Sequence, residues 1–108
     1  MTRIAQHAAK HHAAATAILR EVWPTAAVVR VDMQWAEVGQ GCPEIIEIRD
    51  AAGETLWLAE QPHPAVEQAE TALCPSAWRT SAPDPTGADL REAGWTHDSQ
   101  YAYTLTLP

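Results

Sequence analysis

The chain has 108 residues, with 14 acidic against 7 basic side chains and a formal net charge of -7. That length supports one two-layer core, a single domain over residues 1–108, and leaves too little chain for a second domain or a large catalytic cavity. The acidity, with Lys10 the sole lysine, opposes duplex nucleic acid as a partner, because such affinity comes from neutralising phosphates.

No apolar run approaches the roughly 18 residues of a membrane span. The stretch from Met1 to Trp23 also lacks the continuous apolar centre of a secretory signal. Two cysteines, Cys42 and Cys74, show no CxxC spacing, and free thiols in a cytoplasmic protein are expected. The Ala-rich, Lys-poor composition fits a GC-rich bacterial genome. Ile, Leu and Val are scarce and Phe is absent, a composition that leans towards disorder, but five Trp and two Tyr restore apolar area. The placement of these residues along the chain decides the matter.

From Thr2 to Trp23, Ile4, Ala8, Ala15, Ile18 and Val22 recur on steps of three or four, flanked by Ala5 and Leu19, and predict an amphipathic helix. Pro24 ends it. His11 and His12 fall at the border of the stripe. From Val28 to Val38 the period changes to two, with Val29, Val31, Met33 and Trp35 inward and Arg30, Asp32 and Gln34 outward, the pattern of a half-buried strand.

Ile45–Asp50 and Thr55–Glu60 predict a hairpin around Asp50-Ala51-Ala52-Gly53-Glu54, with Gly53 at the left-handed position of a three-residue loop. Closing that loop pairs Ile48 with Leu56 and Ile46 with Leu58 as the inward set, and places Trp57 beside Glu47 on the outer face. Pro64 suits a first helical position, and Val66, Ala69 and Leu73 then form one face, with Glu67 and Glu70 outward and Cys74-Pro75 as the stop. Residues 75–85 read as a mobile Pro-rich connector. Thr86 and Asp89 have capping-box spacing before a short helix that closes at Gly94, with Trp95 packed on Leu90. After a turn at Thr96–Ser99, Tyr101, Tyr103, Leu105 and Leu107 alternate with polar residues in a terminal strand. The order is α-β-β-β-α-α-β: an α+β, two-layer domain with the N-terminal helix and two short helices packed on one face of a mostly antiparallel four-stranded sheet.

Three groups of residues bear on function. His7 and His11, four apart on a helix, are spaced to share a divalent metal, with Glu21 or His63 as a third ligand. The glutamate that would act as base beside the first histidine of a metalloprotease helix is absent, and border histidines on an Ala-rich helix are the plainer reading. Cys42, on the Gly39-Gln40-Gly41-Cys42-Pro43 loop, is a candidate nucleophile, yet Glu37 and Glu44 beside it oppose thiolate formation. The aromatics point elsewhere: Trp57 on the hairpin and Trp78 in the connector, with Arg30, Ile45 and Arg49, have the residue mix of an interface centre. Against this stands the reading that the segment after the hairpin folds back and buries Trp57.

No cofactor fingerprint, Ser-His-Asp set or paired-carboxylate motif can be assembled, and no cofactor is expected. The sequence therefore predicts a binding domain whose partner is another protein or a second copy of itself. A metal- or thiol-dependent enzyme, or a small-ligand-binding regulatory domain with its cavity between the first helix and the sheet, are the alternatives.

Overall fold

A computed structural model describes residues 3–34, 43–74 and 87–108. Its elements are α1 (Arg3–Val22), β1 (Ala26–Asp32), β2 (Glu44–Asp50), β3 (Thr55–Leu58), α2 (Pro64–Leu73), α3 (Gly87–Glu92), β4 (Thr96–Ser99) and β5 (Ala102–Thr106). The expected two-layer α+β arrangement is present, with five strands in place of four, in the order β3-β2-β1-β5-β4. Every neighbouring pair is antiparallel. The first three strands form a meander, and the chain then crosses through α2 and α3 to the far edge, where β4 turns back into β5 beside β1.

The additional strand lies where a turn was expected, at Thr96–Ser99. All four of its residues are exposed, so it carries no hydrophobic alternation from which to read a strand. Its pairing to β5 makes it one, and the turn falls instead at Gln100, whose φ is 42°. Tyr101 consequently leaves the inward set and is 41 % exposed, while Tyr103, Leu105 and Leu107 are buried as expected.

α1 ends at Val22 beside Pro24 as predicted, but its buried face is Ala8, His12, Ala15, Thr16 and Leu19. Val22 is exposed and Ile18 only partly buried. At 3.6 residues per turn both sets make one stripe, and the buried face is turned by roughly 60° from the expected one, towards His12 and Thr16, polar residues in core positions that hide it in the sequence. α2 begins at Pro64 with His63 as its cap: His63 Nδ1 accepts the Ala65 N–H at 3.0 Å. Val66, Ala69 and Leu73 are buried as the spacing predicts. α3 closes through Gly94 at φ +100°, with Gly94 N–H donating to the Arg91 carbonyl and Trp95 N–H to the Leu90 carbonyl.

The hairpin turn forms as read. Asp50 Oδ1 accepts the N–H groups of Ala52 and Glu54, each at 2.9 Å, and Gly53 has φ +87°. The register beyond the turn differs. Arg49 faces Thr55, but a bulge follows, so that Ile48 faces Trp57 and Glu47 faces Leu58. One extra residue on β3 exchanges the faces of all that follow it. Trp57 turns inward, Leu56 is partly buried, and Leu58 is 47 % exposed. A second irregularity, between Arg30 and Val31, sets Val31 opposite Ile45, so that Ile45 and Ile48 form the buried pair in place of Ile46 and Ile48. The buried apolar side chains of the helices join those of Val29, Val31, Ile48, Tyr103 and Leu105 in one hydrophobic cluster.

Candidate functional site

The residues expected to form one contact patch are distributed over two faces of the sheet. Ile45 and Trp57 lie on the helix side and are buried, whereas Arg30 and Arg49 stand on the other side, each with roughly a third or more of its side chain exposed. Trp78 and Cys42 lie outside the described residues, as do the 75–85 connector, Trp35 and Thr86.

On the second face, five polar side chains form a chain across the strands. Arg49 Nη2 approaches Glu47 Oε1 at 2.9 Å, Arg30 Nη1 approaches the same oxygen at 3.5 Å, and Thr55 Oγ1 donates to Glu47 Oε2 at 2.5 Å. Arg30 Nε also lies 3.9 Å from Asp98 Oδ2. The hydrogen bond from Arg49, then that from Thr55, holds the Glu47 carboxyl down at about 2. This is cross-strand pairing between β1, β2, β3 and β4, and it offers no reactive group.

Ile45 and Trp57 contribute instead to a groove of about 290 Å³ where α2 passes the outer end of β2 and β3. Its wall is built by Ile45, Ile46, Trp57, Ala59, Pro62 and Val66, and its rim carries His63 and three carboxylates, Glu44, Glu67 and Glu70. The bulge in β3 places the indole here, and its Nε1–H donates to the Gln61 carbonyl at 2.8 Å. Trp23 packs behind, with its ring 6.3 Å from Trp57 and 5.1 Å from His63, which joins the end of α1 to the start of α2. The burial of Trp57 agrees with the reading in which the chain after the hairpin folds back over it.

Glu70, expected to point outward, is half-buried, and its Oε2 accepts the Ile45 N–H at 2.7 Å. That bond ties α2 to the first residues of β2. Burial, with the nearby charges of Glu44 and Glu67, raises the Glu70 carboxyl above its ordinary range despite the stabilising Ile45 bond. A one-turn spacing of Glu67 and Glu70 beside a buried helical face was the signal available in the sequence; their convergence with Glu44 depends on how α2 docks on the sheet.

A second recess, of about 320 Å³, lies between α1, α3 and β5 and is lined by Ala5, Ala9, His12, Glu92, Ala93, Gly94, Leu105, Thr106 and Pro108. His12 is 5 % exposed and meets Trp95 edge to face, with ring centroids 5.6 Å apart. Burial, and secondarily the neighbouring His11, lowers its pKa to about 4, so the imidazole is neutral at physiological pH.

His7 and His11 lie one turn apart on α1, both partly buried, while His63 is engaged as the cap of α2. Among the described residues no group of three His, Cys, Asp or Glu side chains is placed to hold a metal ion. Cys74, at the end of α2, is buried. Among the described residues no helix is long and apolar enough to cross a membrane. Comparison of the chain with protein families, with curated proteins and with solved structures gives no match.

Proposed function

We propose that this chain is a binding domain of the cytoplasm, that its partner is another protein or a second copy of itself, and that it engages the partner through the groove beside Trp57. One observation carries the reading: the groove joins an aromatic and aliphatic wall to a polar rim, the composition of an interface centre, and it opens beside the edge strand β3. At about 290 Å³ it sits at the small end of the range for sites that enclose a ligand. It therefore suits side chains of a partner better than a cofactor.

A photoreactive amino acid at Glu67, on the groove rim, tests this in cells. Discrete adducts are expected there and not with the same residue at Ala13, on the exposed side of α1. A dimer-sized adduct assigns the partner as a second copy. Equal labelling from both positions, or none from Glu67, would refute the reading.

A second reading, a small-ligand regulatory domain, is supported by the His12 recess between the first helix and the sheet. A metabolite screen that follows Trp95 fluorescence tests it, and no response to any mixture counts against it.

A further inference from the structure

We infer that the groove receives an arginine side chain from the partner protein, its aliphatic stem against Trp57 and Val66 and its guanidinium towards Glu67, Glu70 and Glu44. The inference rests on the binding role proposed above and names the chemistry that would be recognised.

Charge complementarity is the first argument. Among the described residues three carboxylates line the groove and no lysine or arginine does, on a chain whose net charge is already -7. The carboxylates also oppose one another: Glu44 and Glu67 both make ionisation of Glu70 harder, and a cation seated among them would remove that repulsion. The Ile45 amide holds one oxygen of Glu70 at 2.7 Å and so fixes the orientation of this half-buried carboxylate before any ligand arrives. Pre-orientation of that kind lowers the cost of binding.

Shape is the second argument. A guanidinium is planar, pairs with carboxylates through paired N–H donors and stacks on aromatic rings, and its three-carbon stem covers apolar surface. The groove supplies the counterpart of each part, with Trp57, Ile46 and Val66 as wall and the glutamates as rim. An ammonium satisfies the charge alone, and for that reason arginine is preferred to lysine.

The test uses the full chain labelled with ¹⁵N and three probes: a capped Leu-Arg-Leu peptide, the same peptide with citrulline for arginine, and free agmatine. The arginine peptide is expected to shift the Trp57 indole and Ile45 amide signals saturably. Citrulline, which keeps the shape without the charge, should weaken binding by about fivefold or more, as should the double variant Glu67→Gln/Glu70→Gln. A glutamine at 70 retains an oxygen for the Ile45 N–H, and an unchanged spectrum away from the groove verifies that the variant is folded.

Equal binding of the citrulline peptide overturns the arginine assignment while leaving the groove a docking site. Agmatine binding as tightly as the peptide overturns the partner-side-chain assignment in favour of a free amine. No shift with either peptide overturns the inference alone if adducts from position 67 persist, and overturns the binding role with it if they do not.

Discussion

Acidification provides the most direct check on the packing of α1, because His12 is buried as the neutral imidazole. The unfolded chain takes up a proton at the ordinary value of 6.5, the folded chain only near 4. Proton uptake therefore favours unfolding: the contribution of His12 to stability is fully present above pH 6.5 and is lost as the pH falls towards 4. From those two values the loss is about 2 kcal/mol at pH 5 and levels off near ~3 kcal/mol at lower pH. Small domains are stable by only about 5–15 kcal/mol, so the urea midpoint should drop by roughly 1 M between pH 7.5 and pH 5.

The control is His12→Leu, which keeps an apolar filler at the same core position and removes the titration. Glu70 titrates in the opposite sense, since its raised pKa favours the fold as it becomes protonated, but it is common to both proteins. The difference between wild type and variant therefore isolates His12. Urea melts monitored by circular dichroism at half-unit steps of pH would show a steep wild-type slope and a flattened one in the variant. If His12→Leu itself fails to fold, His12→Gln serves for the same comparison. A wild-type slope that survives removal of the imidazole would show that His12 is not buried neutral against Trp95, and the assigned face of α1 would be wrong.

Two further outcomes follow from the sheet. Gly53→Ala is expected to destabilise the protein by about 1 kcal/mol in urea titration, and through backbone conformation, because φ is +87° and, among the described residues beyond its chain neighbours, no atom lies within 4 Å of the added Cβ; unchanged stability would mean that the turn does not hold Gly53 left-handed. Glu47→Gln should cost only about 1 kcal/mol at pH 7, since its arginine partners are substantially exposed, and should remove the same amount from the acid limb between pH 4.5 and 2, where the wild-type carboxyl, held down at about 2, loses that contribution on protonation. A variant acid limb as steep as that of the wild type would remove the Arg49 and Thr55 contacts from the account.

Much of the local structure is legible in the residue order. Pro24, Pro64, Gly53 and Gly94 mark boundaries whose backbone requirements are set within a few residues, and each stands where a helix ends, a helix begins, a hairpin turns or a helix closes. The alternation of Val29 and Val31, and of Tyr103 and Leu105, likewise identifies the buried face of β1 and β5. What could not be read is how far one element slides past its neighbour. A single bulged residue on β3, between Thr55 and Trp57, turns Trp57 from the outer face into the core and sends Leu58 to solvent, and no local cost or preference of those residues announces it. The same holds for His12, whose core position shows only when Trp95 and α3 close over it, and for β4, which is a strand only because β5 pairs with it.

The groove has the same origin. Its components, Trp57, His63, Glu67, Glu70 and Glu44, are plain in the chain, but their meeting depends on the angle at which α2 docks and on the hydrogen bond from Ile45 to Glu70. The scarce aliphatic residues and the charge of -7 were thus enough to determine a two-layer α+β domain with an acidic surface, because periodicity and turn chemistry act over a few neighbouring residues. Register, helix docking and the gathering of carboxylates around one tryptophan were decided only in the tertiary structure, since they depend on packing between segments far apart in sequence, whose optimum no single segment encodes.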